Sequence, residues 1–202
     1  DSPYSCLNQQ MMVGTTRKRN LKRGWNFETN DMDAKLFTEL FRILKPHGHF
    51  FTFLPACAPD TYDYNHQHKL MAEEAGFTFN KRWIWDKDAM GMGYNGRNRY
   101  EQILFFSKKK RRMPFDRSIC DVLTHKRIHA PHRMHQTEKP LALLEDIVRF
   151  CSEEGDVLLD PFGGSCVMGQ AAKKLNRHSV CIELDKEMSK KAAERMGGTL
   201  IA

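Results

Sequence analysis

The stretch Asp156–Asp185 constrains this chain more than any other part of it. The apolar run Val157-Leu158-Leu159 ends in Asp160-Pro161-Phe162-Gly163-Gly164-Ser165. A helical pattern follows to about Leu175, then a second apolar run, Ser179–Glu183. Asp185 stands where a carboxylate caps a last helix through about Met196. Strand, glycine turn, helix, strand and acid make the first half of a Rossmann-like unit. The glycines let the backbone come close to a ligand, and an acid ending the second strand suits the paired hydroxyls of a ribose. Glu183 lies about twenty residues beyond the turn, the spacing that role requires. The turn lacks the G-x-G-x-x-G pattern, which disfavours a dinucleotide. Taken alone, Gly163-Gly164 also serves as plain turn chemistry between a strand and a helix.

Upstream, helical and strand periods alternate. From about Asp31, Leu36, Phe37, Leu40, Phe41 and Leu44 share one helical face, which Pro46 and Gly48 end. His49–Leu54 is a buried strand by pattern, and Asp63–Ala75 a helix ended by Gly76. Phe79–Trp85 and Tyr100–Ser107 follow as strands around a flexible turn at Met90–Gly96. A further helix starts around Pro140, with Leu141, Leu144, Ile147, Val148 and Cys151 on its apolar face, and Gly155 closes it. This alternation predicts an α/β domain with a mostly parallel sheet. Residues 5–30 are expected to form a long polar loop, and 108–135 a loop or small insertion.

A chain of 202 residues with 41% hydrophobic content fits one folded domain over 1–202 and excludes a disordered chain. Its longest apolar stretch falls short of the ~18 residues a membrane-spanning helix needs. Cys6, Cys57, Cys120, Cys151, Cys166 and Cys181 are scattered, with no C-x-x-C pair. That excludes a zinc ribbon and predicts unpaired thiols in a reducing cytosol. His125, His129, His132 and His135 recur near Cys120, but Pro131 interrupts any helix there and no metal is expected. Lys and Arg number 32 against 25 Asp and Glu, a net charge of +7 that fits an anionic partner. The cations cluster at Arg17, Lys18, Arg19, Lys22 and Arg23, and again at Lys108, Lys109, Lys110, Arg111 and Arg112. Arg97, Arg99, Lys126, Arg127 and Arg133 add to them. Such groups position a phosphate backbone; a solvated face is the other reading.

Taken with its flank, the glycine turn says more. His135-Gln136-Thr137-Glu138-Lys139-Pro140, a helix, and then Asp160–Ser165 resemble the cofactor segment of the amino-methylating DNA methyltransferases, H-x-T-x-K-P, helix, D-P-F-x-G-S-G. Asp1-Ser2-Pro3-Tyr4 resembles their catalytic motif, [D/N/S]-P-P-[Y/F]. Leu44-Lys45-Pro46-His47-Gly48-His49 is similar to the family's L-K-P-G-G segment, and Trp85-Asp86-Lys87 and Tyr100–Ser107 match further segments. Catalytic motif first and cofactor motif last is the order of the beta class. Ser2 replaces the first Pro, Cys166 the second loop glycine, and Gln136 a common Pro. Ser2 and Cys166 are small, so the geometry is expected to survive.

The resemblance implies a Rossmann-like S-adenosylmethionine-dependent methyltransferase fold. A sheet strand is expected before Asp1, and hence a longer natural protein. Residues 108–135 are expected to be a short target-recognition insertion. The resemblance further implies that Phe162 and Gly164, with Asp160, Gly163 and Ser165 of the same turn, meet the methionine side of the cofactor. Thr137 and Lys139 would meet its carboxylate and Glu183 its ribose; Leu184 would cover the adenine or pack in the core. An exocyclic amine is a poor nucleophile because its lone pair is delocalised into the ring. The Asp1 carboxylate would accept one N–H and the Ser2 carbonyl the other, bonds that strengthen as charge develops on nitrogen. Pro3 would stiffen the turn and Tyr4 stack on a flipped base. None of the eight prolines precedes a Cys, which argues against the covalent C5-cytosine mechanism. In this family an acid at the first motif position accompanies adenine, so the expected product is N6-methyladenine in double-stranded DNA, with N4-methylcytosine as the alternative. Methylation of RNA or a small molecule, and a catalytically impaired DNA-binding protein, are the other readings. The expected setting is bacterial or phage-encoded and cytoplasmic, as a monomer or homodimer.

Overall fold

A computed structural model describes residues 33–55, 64–91, 96–109, 113–135 and 137–199. The motif Asp1–Tyr4, the cations Arg17, Lys18, Arg19, Lys22 and Arg23, and Lys110, Arg111 and Arg112 lie outside the described residues.

Helix α1 (Ala34–Ile43) begins at Asp33, whose carboxylate accepts the Leu36 N–H at 2.8 Å. It buries Phe37 and Leu40. Strand β1 (His49–Pro55) and helix α2 (Tyr64–Glu74) follow, then β2 (Phe77–Asp86), β3 (Tyr100–Lys108) and the short β4 (Val122–Thr124). These strands form one sheet in the order β1-β3-β2-β4. Next come α3 (Leu141–Cys151), β5 (Val157–Asp160), α4 (Val167–Lys174), β6 (His178–Cys181) and α5 (Lys186–Met196). Strands β5 and β6 pair in parallel across the α4 crossover.

Two apolar cores lie on opposite faces of the larger sheet. On one face Phe53, Trp83, Trp85, Ile103 and Phe105 pack against Leu143, Leu144, Ile147, Val148 and Phe150 of α3 and Val167 and Ala171 of α4. Leu158 of β5 joins this core, so α3 and α4 cover both sheets. On the other face Leu54, Phe77, Leu104 and Phe106 pack against Phe37 and Leu40 of α1 and Ala72 of α2. Neighbouring residues of β3 thus serve opposite cores, as the two-residue period demands.

Strand β2 departs from that period. Phe77 and Phe79 face the α1–α2 core, while Trp83 and Trp85, also odd-numbered, face the α3–α4 core. The cause is a bulge: Phe79 stands opposite Phe106 and Lys81 opposite Phe105, so Asn80 is an extra residue. One inserted residue reverses the facing of everything after it.

The α/β class and the succession of elements follow the sequence expectations, with three corrections. The larger sheet is mixed, not mostly parallel: β3 runs antiparallel to both β1 and β2, and β2 pairs in parallel with β4. Among the described residues no helix lies between β2 and β3 in chain order, and without a crossover adjacent strands run antiparallel. The segment 108–135, expected as a loop or insertion, contributes β4 to the sheet edge and buries Leu123. On α3, Leu143 and Phe150 belong to the buried face alongside Leu144, Ile147 and Val148, and Pro140 is the N-cap, one residue before the helix. Among the described residues, no helix is long and apolar enough to cross a membrane.

Candidate cofactor site

The glycine turn lies where β5 ends, beside the end of β6, the carboxyl edge at which open α/β sheets hold ligands. The Asp160 carboxylate accepts the Phe162 N–H at 3.1 Å and turns the chain. The Gly163 N–H donates to the Ile182 carbonyl at 2.7 Å, tying the turn to the exit of β6. Gly164 has φ +49°, a left-handed conformation that glycine adopts without penalty, with the His135 ring 3.6 Å from where a Cβ would stand. Ser165 is buried.

Glu183 reaches back across this turn. Its Oε2 accepts the Gly164 N–H at 2.7 Å and its Oε1 accepts the Asp185 N–H at 2.9 Å. Both bonds orient the carboxylate, and each oxygen keeps a second lone pair for a ligand hydroxyl. Leu184 is 75% exposed, so core packing is not its role and a large apolar side chain stands open beside the acid. Asp185 accepts the Glu187 and Met188 N–H groups and caps α5, as expected.

The His135–Pro140 segment closes the other side. The Thr137 hydroxyl lies 3.0 Å from His135 Nδ1. Burial holds the His135 ring below its ordinary pKa, more than the nearby Glu183 carboxylate raises it. Glu138 is buried; its Oε2 accepts the Met134 N–H at 2.6 Å and its Oε1 pairs with Arg195 of α5 at 2.6 Å. That ion pair fixes the segment against the last helix, a role the sequence did not single out.

Lys139 is buried and its charge is already matched. Its Nζ lies 3.3 Å from Glu101 Oε2 and about equally over the Phe53 and Trp85 rings, at 5.2 and 5.8 Å. Lys87 holds the other oxygen of Glu101 at 2.8 Å. Desolvation pushes the Glu101 carboxyl up, but the charges and hydrogen bonds of Lys139 and Lys87 outweigh it and hold the group below its ordinary range. Glu101, not predicted as a site residue, is the hub of this triad, half-buried like Lys87, with Lys139 buried. Its only sequence signal is its place in the Tyr100–Ser107 segment.

The basic groups divide. Lys108 donates to the Leu44 carbonyl at 2.8 Å and to that of Phe41, and lies 4.6 Å over the Phe41 ring. Its ammonium serves the carboxyl end of α1, where unpaired carbonyls and the helix dipole favour a cation. Arg99 forks onto Asp86 at 2.7 and 2.9 Å. Arg97, Lys109 and Arg127 are exposed. His125 pairs with Asp146 at 2.7 Å, and no group of metal-ligating side chains converges among the described residues.

One cysteine expectation is overturned. Cys166 and Cys181 are not unpaired: a disulfide joins them, with Cα atoms 6.3 Å apart. The α4 crossover brings the end of the glycine turn beneath the end of β6, a closeness that separation along the chain does not reveal. Cys120 and Cys151 are free.

A glycine turn, the Glu183 carboxylate held against it and the open Leu184 side chain meet at one sheet edge of an α/β domain. A family model described as DNA methylase matches residues 31–194, and the chain belongs to that N6/N4 methyltransferase family. It is 30% identical over 182 residues to the type II methyltransferase M.HpaI of Haemophilus parainfluenzae, covering 78% of this chain and 56% of that protein. The chain therefore spans little more than half the length of this relative. Against M.HhaII of Haemophilus parahaemolyticus the identity is 25%, over 77% of this chain and 67% of the relative. The M1.HpyAVI–SAM complex superposes with a TM-score of 0.68 at 26% identity, covering 81% of each chain. The cytosine-N4-specific PvuII DNA methyltransferase shares the fold, with a TM-score of 0.65 at 18% identity over 88% of this chain and 76% of that one.

Proposed function

We propose that this protein transfers a methyl group from S-adenosylmethionine to the N6 amine of adenine in double-stranded DNA, directly and on a flipped base. The observation that carries the cofactor site is the Glu183 carboxylate, held 2.7 Å from the Gly164 N–H, with exposed Leu184 beside it. These residues fit the donor: Glu183 accepts from the ribose hydroxyls, Leu184 covers a face of the adenine, and the Asp160–Ser165 turn brings backbone close to the methionine end. When bound, S-adenosylmethionine supplies an electrophilic methyl group on a sulfonium. Thr137 lies at the same edge through His135, and Lys139 just behind it, paired with Glu101.

The chain's own catalytic work falls to Asp1–Tyr4, on the family resemblance. The Asp1 carboxylate and the Ser2 carbonyl take the two N–H groups of the target amine and direct its lone pair at the methyl group; Tyr4 stacks on the base. Asp1 supports adenine, and Ser2, where the family has Pro, keeps N4-cytosine as the alternative. The exposed cations and the type II relatives support a DNA partner and a place in bacterial restriction–modification, in the cytoplasm.

The deciding experiment incubates the protein with labelled S-adenosylmethionine and mixed-sequence DNA or RNA, followed by digestion and mass spectrometry of the nucleosides. Label in N6-methyladenine is the expected result. N4-methylcytosine would move the base and keep the mechanism, label only in RNA would replace the substrate, and 5-methylcytosine would overturn the mechanism. No label in any nucleoside would leave the impaired DNA-binding reading in its place.

A further inference from the structure

We propose that Cys166 and Cys181 form a reversible redox switch on cofactor affinity, tight when disulfide-bonded and weak when reduced. The proposal rests on the reading of Asp160–Ser165 and Glu183 as the S-adenosylmethionine site.

Cys166 ends the glycine turn and caps α4 in a left-handed conformation, φ 55°, ψ 42°. A residue with a Cβ takes that conformation at a cost. Two things hold it there: its N–H donates to the Gly163 carbonyl at 2.7 Å, and its sulfur is bonded to Cys181. Cys181 is the last residue of β6, two before Glu183. The bond therefore ties the turn that carries the Gly164 N–H to the strand that delivers the carboxylate accepting it. Gly169 on α4 makes room for the bond: a Cβ there would stand 2.5 Å from the Cys166 sulfur and 3.2 Å from that of Cys181.

Breaking the bond leaves Cys166 free to relax out of the left-handed region, and the turn is then held against Glu183 by the Gly163–Ile182 and Gly164–Glu183 hydrogen bonds without the covalent tie. The chemistry is thiol–disulfide exchange with a small thiol. A thiolate attacks one sulfur, forms a mixed disulfide with it and expels the other cysteine as thiolate, which takes up a proton. A second small thiol then attacks the mixed disulfide on its small-thiol sulfur. The overall exchange turns two small thiols into one small disulfide and the protein disulfide into two thiols, moving two electrons and two protons. Oxidation by a small disulfide is the reverse. In a reducing cytoplasm such a bond is transient, as expected of a sensor rather than a staple. Of the free cysteines, Cys151 is inert because burial pushes its thiol up to about 12.

The test equilibrates the protein in buffers of graded glutathione to glutathione disulfide ratio, traps thiols by alkylation, and maps the linked peptides by mass spectrometry. S-adenosylmethionine affinity is measured by calorimetry at both ends of the series. The expected results are a Cys166–Cys181 linked peptide that appears and disappears reversibly, and affinity about five- to thirty-fold weaker after reduction, the range set by the cost of the left-handed conformation. Cys181→Ser should bind weakly in both buffers. Cys166→Gly, which takes the conformation freely, should give one affinity in both. A pair that stays reduced throughout the series overturns the switch, as does a linked pair with equal affinity before and after reduction. A linked pair with no cofactor binding in either state overturns the site assignment, and the switch with it.

Discussion

Glu101 carries a negative charge into a half-buried place that Lys87 and Lys139 make favourable. Replacing it with Gln takes that counter-charge away from two ammonium groups beside the Trp85 ring. Glu101→Gln is expected to cost about 1–3 kcal/mol in urea unfolding at neutral pH. The pH dependence has a definite sign. The folded-state pKa is lowered, so the stabilisation is in place above the unfolded value near 4.3 and is lost as pH falls through the folded one. The Gln variant should lack this part of the acid sensitivity; identical acid-unfolding curves would refute the role. Glu183 makes a complementary case, since its partners are backbone N–H groups and a proposed ligand. Glu183→Ala should weaken S-adenosylmethionine binding by about 1–3 kcal/mol, as ribose hydroxyls lose their acceptor, and unchanged calorimetric affinity would sink the ribose assignment. The two residues also differ in legibility. Glu183 is visible because its proposed role depends on spacing within one strand–helix–strand unit. Glu101 is not, because its lysine partners sit 14 and 38 positions away in sequence, one just past β2 and the other just before α3, and the fold brings them together on β3.

At the scale of elements, the bulge at Asn80 decides how β2 is shared between two cores. Deleting Asn80 would restore strict alternation across β2. Either Phe77 and Phe79 or Trp83 and Trp85 would then face the wrong side. The expected loss is at least about 4–5 kcal/mol, the range reached only by gross disruption of a core, measured as the fall in unfolding free energy or as failure to fold. A deletion variant of near-native stability would show that β2 can slip at no cost. The sequence placed β2 correctly, since its aromatics alternate on either side of the bulge, but period counting does not register the single inserted residue. Strand β4 escaped notice for another reason: it is three residues long with one buried side chain, Leu123. The helices were legible because their apolar faces recur over two or more turns. The direction of β3 was not, because pairing is set by which strands the connections allow to meet. Cys166 and Cys181 belong to the same class, since the crossover that joins them is a property of the βαβ unit.

At the scale of the whole chain, the net charge of +7 favours a polyanionic partner by its long-range field, and in the proposed DNA complex each Lys or Arg contact to phosphate would release counterions. The logarithm of duplex affinity should therefore fall linearly with the logarithm of salt concentration. Which cations contribute follows from where the fold has placed them. Lys108 donates to carbonyls at the end of α1, so Lys108→Met should leave the salt slope unchanged and cost about 0.3–1 kcal/mol of stability instead. Arg97 and Arg127 are exposed, and replacing both with Gln should lower the magnitude of the slope by about 0.9 for each phosphate contact removed. Filter binding or fluorescence anisotropy across a salt series separates the cases. If the double Arg variant keeps the full slope while Lys108→Met flattens it, the phosphate-facing surface runs past the end of α1, and Arg97 and Arg127 are only solvated.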